Sequence, residues 1–582
     1  MIRGISVSEG IIVAKAVMKR ESEIEIVLKP VVDVDAEVER LTNAVYRYTT
    51  QLEKTYKKTL NILGEDEASI HKSHLSILKD SVVIGGVKKQ IRDRSYNAEF
   101  VLDEVKKKYE AIYNRMDDDF LRKKAEYIKN ITEGIIKQLV DTSESTFEEI
   151  SEPCVLVANE LDASDTMDLD KKYILAILLE DSNKTSHGVM LAKNWKIPCI
   201  VGIKKLTALV NNDDQLIIDG KKGEVIVNPE QDVLEFFREK LSREKELDKV
   251  YYTYINKESI TVDGYGLDIN SIVSKPDEVK YAIRNGADNI GLFRTELVFI
   301  GRDSMPTEEE QYKVYSQAVE YAMDKEICFR TFDCNGKSDL PYIHLPEQNN
   351  PALGFFSTRI ALSNRELLLT QIKAILRTSV NKKVSFVIPM VSSVDELLDI
   401  RLLMEDAMLS LEEEGKDFNR SIKYGVILET PSVAIITSFF AQDIDFLYVD
   451  VDDMLQYVTG TDPTNEMVFE LYDEFHPGYL RILKSMIRSA HREGTSICFS
   501  GKVCLNEFLI PVFIAMGVDR INIPYKETPK VRWEINTTNK KIWEKILDDI
   551  LKMSSGKQIK HYLEKKYGEQ YLWKSENKLI DK

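Results

Sequence analysis

The sequence predicts a multidomain α/β protein whose C-terminal part is a (β/α)8 barrel of the TIM type. The length of 582 residues exceeds one ordinary domain, so about two to four domains are expected. Near the N-terminus, long stretches with helical apolar periodicity predict an α-helical bundle. After about residue 260, short apolar stretches alternate with helical ones, and this alternation is typical of a β/α barrel.

The composition excludes several classes of protein. Hydrophobic residues make up 43% and charged residues 30%, which is typical of a globular protein. A formal net charge of −17 argues against a general nucleic-acid binder, because phosphate groups would be repelled. No apolar run approaches the ~18 residues needed to span a bilayer, and the first residues lack a signal-peptide core. The six cysteines show no CxxC spacing, which suits a reducing cytoplasm.

The N-terminal half is predicted to be a β-rich domain interrupted by a helical bundle. The β-rich pattern of residues 1–21 resumes at residue 144 and ends at 229, and residues 22–143 form the bundle. A charged helical stretch within residues 230–258 is predicted to be a linker helix, and residues 259–582 the barrel. Four segments have the helical periodicity of the bundle: 36–63, 67–94, 97–115 and 118–138.

His187 lies at the predicted start of a helix. The apolar run 173–179 predicts a buried strand, and Thr185 and Ser186 are good N-capping residues. Free N–H groups in the first turn of a helix favour an anion, so a histidine there is well placed to carry a phosphoryl group. Taken alone, His187 fits equally well a helix-start histidine without a chemical role.

The C-terminal half contains eight predicted strands, each followed by a helical stretch. Eight β-then-α units predict a (β/α)8 barrel, and a doubly wound open sheet is the alternative. The predicted strands are 261–270, 289–296, 326–333, 383–390, 424–430, 446–453, 496–502 and 520–524.

Charged side chains end several of these otherwise apolar strands. In a β/α barrel the chemistry sits at the carboxyl ends of the strands. Arginines beside several carboxylates suit an anionic substrate bridged by Mg²⁺, a hard ion that takes carboxylate and phosphate oxygens. The alternative, strand-end caps and loop salt bridges, is competitive for one residue but weak for several strands that end alike. The residues are Arg294, Glu296, Arg330, Asp333, Glu429, Asp450, Asp452 and Asp453.

A series of motifs along the whole chain resembles enzyme I of the bacterial sugar phosphotransferase system, the phosphoenolpyruvate–protein phosphotransferase family. Their order and number make the resemblance highly specific. The motifs are Gly4-Ile-Ser-Val-Ser-Glu-Gly-Ile11, Thr185-Ser-His187, Ile197-Pro-Cys-Ile-Val-Gly202, Gly291-Leu-Phe-Arg-Thr-Glu296, Pro306-Thr-Glu-Glu-Glu-Gln311, Asn350-Pro-Ala-Leu-Gly354 and Glu429-Thr-Pro431.

The resemblance implies that phosphoenolpyruvate binds in the barrel mouth and yields pyruvate. Arg294 and Arg330 would bind its phosphate, with Mg²⁺ on Glu429 and Asp453, and Asp453 also contacts the substrate. The phosphoryl group would pass to His187 on a swivelling phosphohistidine domain.

The resemblance also implies the partners of the protein. Phosphate on His187 would pass to a small histidine phosphocarrier, HPr, docked on the bundle, in sugar transport. Thr166 matches the position that orients the histidine. A cytoplasmic homodimer through the barrel is implied as well.

Several positions depart from the family pattern. Where the family has Cys-Gly-Glu, with the cysteine as the acid that protonates the enolate, this chain has Ser500-Gly-Lys502. A hydroxyl is a far weaker acid than a thiol of pKa ~8.5, and losing a general acid typically costs about 10²–10⁴ in rate. By its spacing, Cys504 would not replace the missing thiol.

Further departures concern the binding of the substrate. The family motif Gly-Thr-Asn-Asp is Asp450-Val-Asp-Asp453 here, so Asp452 is expected to present an acceptor at a substrate-binding position. Phe356 and Pro463 occupy two positions where the family has arginine. The family's Gly-Gly-Arg before Thr-Ser-His is Ser182-Asn-Lys184, and bundle residues 72–84 are basic and apolar where the family surface is acidic.

Two hypotheses follow for the function. The first is an active phosphoenolpyruvate–protein phosphotransferase with His187 as nucleophile. The second is an impaired regulatory or binding paralogue that exchanges phosphate with a carrier but turns phosphoenolpyruvate over poorly. If the mouth is impaired, restoring Ser500→Cys together with Asp452→Asn is expected to raise activity.

Overall fold

The structure is a computed structural model of the chain. It describes residues 2–8, 10–19, 26–62, 73–78, 81–113, 119–140, 147, 150–161, 165, 169–181, 187–334, 340–343, 345, 348–463, 465 and 467–577. The chain divides into two compact units, Met1–Glu244 and Lys245–Lys582. The predicted fold class, multidomain α/β with an inserted bundle and a barrel, is confirmed, whereas the finer domain boundaries stay a prediction.

The first unit is built on a mixed sheet of eight strands in the order β1-β8-β7-β3-β4-β5-β6-β2. Strands β3 to β6 are parallel in that order, and the other neighbours are antiparallel. The strands are β1 Ile2–Arg3, β2 Ile5–Ser8, β3 Ile11–Met18, β4 Cys154–Ala158, β5 Ile174–Leu179, β6 Cys199–Val201, β7 Gln215–Asp219 and β8 Glu224–Val227.

The bundle is inserted between two neighbouring strands of this sheet. The chain leaves β3 at Met18 and returns in β4, and Lys15 is in register with Cys154. The helical stripes pack on one another around fully buried residues such as Leu41, Val87 and Ile135. The helices are α1 Val34–Ile62, α2 Ser81–Arg94, α3 Ala98–Tyr113 and α4 Asp119–Val140.

Of the second predicted bundle helix, 67–94, the structure describes residues 73–78 and α2, and both are helical. The rest of that prediction lies outside the described residues. Three further helices complete the N-terminal half: α5 His187–Trp195, α6 Leu206–Leu209 and α7 Gln231–Tyr252. Helix α7 is the predicted linker helix, and the boundary between the two units falls within it.

The second unit is a closed parallel barrel, so the alternative of an open doubly wound sheet is wrong. Strand β16 pairs with β9 in parallel and closes the ring. The strands are β9 Asp268–Val273, β10 Asn289–Arg294, β11 Ile327–Arg330, β12 Val384–Ile388, β13 Lys423–Leu428, β14 Phe446–Asp450, β15 Ser496–Ser500 and β16 Arg520–Pro524.

The first predicted barrel strand, 261–270, is displaced along the chain. Residues before Asp268 form a tight turn instead, in which Thr261 Oγ1 accepts the Tyr265 N–H at 2.9 Å and Gly264 has a φ of +86°. Glycine adopts that conformation without strain, and the turn carries an alternating apolar pattern like that of a strand, which explains the difference.

Helices cover the outside of the barrel, and local signals start some of them. Thr307 and Ser393 form capping boxes with the glutamates three residues later. The helices are α8 Pro276–Arg284, α9 Glu308–Ala322, α10 Thr358–Ser363, α11 Arg365–Thr378, α12 Val394–Glu413, α13 Pro431–Ile435, α14 Thr437–Ala441, α15 Val451–Thr459, α16 Pro477–Arg492, α17 Ile510–Met516, α18 Thr528–Thr537, α19 Lys540–Ile550 and α20 Gly556–Asn577. Among the described helices, none combines the length and apolarity that crossing a membrane requires.

A buried arginine fastens the segment before the barrel to α18. Arg532 is 1% exposed, and it donates to Asp288 Oδ1 at 2.8 Å, to Ser259 Oγ at 3.0 Å and to the Ile255 carbonyl at 2.5 Å. These three bonds offset the cost of burying its charge.

We expect Arg532→Met to lower the free energy of unfolding by about 3 kcal/mol, because it leaves Asp288 and a carbonyl without their cationic donor. Chemical denaturation measures this change. Lys552→Met is the control, since its ion pair with Asp549 is long, at 3.9 Å, and exposed, so a change of less than about 0.5 kcal/mol is expected. Equal effects of the two substitutions would contradict the interpretation.

Candidate functional site

The charged residues predicted at strand ends gather at the carboxyl end of the barrel. Arg294 ends β10 and is in register with Arg330, which ends β11. Asp450 ends β14 and is in register with Ser500 at the end of β15. Because all eight strands are parallel, these residues share one mouth.

Arg330 is held between two carboxylates of the mouth. Its Nη1 lies 2.7 Å from Asp333 Oδ2, and its Nη2 forms an ion pair with Glu296 Oε1, to which Nε also donates at 3.1 Å. Burial lowers the pKa of the Arg330 guanidinium, but Asp333 and Glu296 outweigh burial and the net pKa is raised. Arg330 is therefore a fixed, permanently charged cation.

Arg294 is the more available of the two cations. Its side chain is exposed, and its Nε donates to Ser274 Oγ at 3.1 Å. Within the described part of the chain, no carboxylate forms an ion pair with it. A solvent-facing guanidinium beside the fixed Arg330 can bind an anion in a bidentate manner.

Three carboxylates crowd the part of the mouth near Arg330. Burial and the charge of Asp453 raise the pKa of Glu429 well above its usual value, although the Met390 N–H donates to Glu429 Oε1 at 3.0 Å. Burial and the charges of Asp333 and Asp452 raise the pKa of Asp453 to about 6. Asp450 has a raised pKa as well, chiefly because of burial and Asp453. These groups repel one another and would be stabilised by a cation.

The carboxylate of Asp452 is oriented differently from the prediction, which places it as an acceptor facing the substrate. Its Oδ2 accepts the Lys502 N–H at 2.7 Å, and its Oδ1 accepts the Val503 N–H at 2.9 Å. Both oxygens are thus engaged by backbone amides of the loop after β15. The sequence gives no signal for these bonds, because the partners are about 50 residues apart.

Ser500 and Cys504 flank that loop. Ser500 is 3% exposed at the end of β15, at the position where the resemblance implies a cysteine acid. Cys504 is fully buried in the barrel core, and burial raises the pKa of its thiol well above the usual value. This placement agrees with the expectation that Cys504 does not replace the thiol without rearrangement, which stays a prediction.

Phe356 and Pro463 stand at the two positions where the family pattern has arginine. Arg359, which lies three residues after Phe356, folds back on the chain: its Nη1 donates to the Leu353 carbonyl at 3.1 Å and to the Gly354 carbonyl at 2.7 Å. Phe356 is half-buried, and so is Pro463. Within the described residues, Arg359 therefore does not replace either missing arginine.

His187 is the first residue of α5, which follows β5 as the sequence predicts. Thr166, Lys184 and the side chain of His187 lie outside the described residues. In the same unit, Lys19 Nζ forms a 2.6 Å ion pair with the buried Asp165, which precedes Thr166 in the sequence. Of bundle residues 72–84, the structure describes 73–78 and 81–84, and His74 there packs edge-on against Tyr127.

The chemistry of the mouth fits Mg²⁺. Among the described residues, no three His, Cys, Asp or Glu side chains form a preorganised metal site. Magnesium, however, is commonly held by one or two carboxylates, with water and substrate oxygens completing the shell. Glu429 is buried and Asp453 half-buried, and their carboxylates repel each other, which suits such a two-carboxylate site.

Comparisons with known proteins cover nearly the whole chain. Three family models match: PEP-utilising enzyme, N-terminal, at residues 3–124, its mobile domain at 150–223 and its PEP-binding domain at 251–540. The phosphoenolpyruvate-protein phosphotransferase of Priestia megaterium is 32% identical over 96% of this chain and 97% of its own. The protein of the same name from Geobacillus stearothermophilus is 31% identical over 97% of this chain and 98% of its own. The one from Bacillus subtilis (strain 168) is 31% identical over 96% of this chain and 98% of its own.

The crowded carboxylates predict a pH-dependent stability. An acid whose pKa is raised by folding favours the folded state at low pH, and this stability is lost as the pH rises through about 6 for Asp453. With a chelator present at pH 8, we expect Asp453→Asn to raise the free energy of unfolding by roughly 1–3 kcal/mol. The gain should shrink towards pH 4, and denaturation at both pH values measures it. A less stable variant at pH 8 would contradict the repulsion.

Proposed function

Because the chain belongs to the phosphoenolpyruvate-protein phosphotransferase family, we propose that it transfers the phosphoryl group of phosphoenolpyruvate to His187 and onward to a histidine phosphocarrier. The observation that carries this proposal is the convergence of Arg330 with Glu429 and Asp453 in one barrel mouth. The comparisons give no support to the alternative of an impaired paralogue.

In the proposed reaction, Arg294 and Arg330 bind the phosphate of the substrate. Glu429 and Asp453 would hold Mg²⁺, and the bound ion would neutralise charge on the phosphoryl oxygens. The fixed position of Arg330 between Glu296 and Asp333 supports this role, because its geometry is set before the substrate arrives.

The imidazole of His187 is the proposed nucleophile. A nitrogen–phosphorus bond forms while the bond between phosphorus and the enol oxygen breaks, and the electron pair stays on that oxygen. The enolate then takes a proton at its methylene carbon and leaves as pyruvate, with Ser500 at the proton-donor position. Thr166 is proposed to orient His187.

The partner is proposed to be a small HPr-like phosphocarrier bound to the bundle, in sugar transport. Its histidine would accept the phosphoryl group from His187. Residues 72–84, which are basic and apolar, favour a carrier surface different from that of an ordinary HPr.

A cytoplasmic homodimer through the barrel is proposed as well. All six cysteines are free and buried, which suits a reducing compartment. Exposed apolar side chains near the mouth support a second copy as the partner there, among them Leu353, Met467 and Leu471. Sedimentation velocity tests this state, and a monomer at micromolar concentration would contradict it.

We expect ³²P from labelled phosphoenolpyruvate to appear on the protein when Mg²⁺ is present, and to be absent in His187→Ala. Chelation of the metal should abolish labelling, because Glu429 and Asp453 then repel the substrate. Scintillation counting with peptide mapping measures the result. Label that arrives on His187 only from a phosphorylated carrier would contradict the proposal and favour the impaired paralogue.

We expect Ser500→Cys to raise kcat by about 10-fold or more, because a thiol is a much stronger acid than a hydroxyl. Pyruvate release in steady state measures kcat. Ser496→Cys, at the other end of the same strand, is the matched control and should leave kcat unchanged. An unchanged kcat in Ser500→Cys would show that another group, or solvent, protonates the enolate.

A further inference from the structure

Two acidic side chains of the mouth are directed at backbone amides. The resemblance implies glycine and asparagine at the positions of Asp450 and Asp452. Asp450 Oδ1 accepts the N–H groups of Asp452 and Asp453, each at 3.1 Å, and so caps the N-terminus of α15. The carboxylate of Asp452 reaches across to the next strand and accepts the amides of Lys502 and Val503.

The second of these interactions ties two neighbouring strand ends together. Lys502 and Val503 begin the 3-10 turn Lys502–Leu505, whose first N–H groups have no partner within the turn. Asp452 lies at the start of α15, and its own carbonyl accepts the Tyr472 hydroxyl at 3.0 Å. The backbone of Asp452 is thus held by Tyr472, while its carboxylate accepts two hydrogen bonds from the loop after β15.

Gly501 makes the close approach possible. Its φ is +142°, a conformation that other residues rarely adopt. A Cβ at this position would stand 2.9 Å from Asp452 Cγ and 3.0 Å from each carboxylate oxygen. The loop therefore accepts the Asp452 carboxylate only because residue 501 is glycine.

We propose that Asp452 is a positioning residue, and that its two amide bonds fix the loop directly after Ser500. We name these bonds the Asp452 clasp. The inference rests on the proposed function, since Ser500 stands at the proton-donor position of that reaction. In the clasp, two amide N–H groups partly neutralise the negative charge of Asp452. The Asp452 carboxylate therefore repels an anionic substrate less than a free carboxylate would.

The clasp reverses one expectation from the sequence. If Asp452 faced the substrate as a bare acceptor, Asp452→Asn would improve binding. With both oxygens on amides, Asp452→Asn instead places an NH₂ donor against one N–H donor and loses that bond. The loop after Ser500 then loses part of its anchorage.

The experiment compares Asp452→Asn with Asp263→Asn in the full-length protein. Asp263 is a matched control, because its two oxygens accept the amides of Lys540 and Lys541 at 2.9 and 3.0 Å. It lies before β9, at the opposite end of the barrel from the mouth. Both variants lose one carboxylate–amide bond, so both should lower the Tm to a similar extent.

Amide hydrogen exchange of residues 500–505, followed by mass spectrometry, tests the clasp without turnover. We expect exchange in this segment to accelerate about 10-fold in Asp452→Asn and to stay unchanged in Asp263→Asn. Unchanged exchange in Asp452→Asn would overturn the clasp.

Steady-state kinetics test the positioning role. We expect kcat to fall by about 10- to 100-fold in Asp452→Asn with the KM for phosphoenolpyruvate nearly unchanged, because a misplaced group slows the chemical step. A lower KM with kcat retained, or an equal loss of kcat in Asp263→Asn, would overturn the proposal. A wild-type protein that takes no label from phosphoenolpyruvate overturns the proposed function instead, and the exchange result still tests the clasp.

Discussion

Mutual repulsion among buried carboxylates is the constraint on which the barrel mouth depends. Burial makes ionisation of Glu429, Asp450 and Asp453 costly, and the charge of Asp453 further raises the pKa of the other two. The structure offsets this cost with Arg330 and with backbone N–H groups. These partners come from different strands and loops, so the arrangement exists only once the barrel has closed.

The same constraint explains the unusual composition of the mouth. Arginines are absent at positions 356 and 463, and extra acids are present at 450 and 452, so the charge balance moves towards the negative. The two extra carboxylates, however, face helix and turn N-termini. Their charge meets the positive ends of aligned peptide dipoles, so the change in charge felt by the rest of the mouth is smaller than the sequence suggests.

Much of the fold could be predicted from the sequence, because local signals dominate it. Apolar strands bounded by turn residues and helices with a periodic stripe located most of the barrel and bundle. The exception, β9, shows the limit: a turn stabilised by Thr261 and Gly264 carries the same alternating pattern as a strand. The site residues at strand ends could be predicted, whereas the bonds of Asp452 could not, since sequence carries no information on which amide a carboxylate 50 residues away will meet.

The insertion of the bundle between β3 and β4 has an evolutionary consequence. Adjacent parallel strands always need a long connection from the end of one to the start of the next, and here the whole bundle is that connection. The bundle contributes no strand to this sheet. The sheet, against which α5 with His187 begins after β5, is therefore complete without the bundle. Mutation can therefore remodel the bundle, or even exchange it, while leaving the sheet intact, so the two parts of the unit can diverge at separate rates.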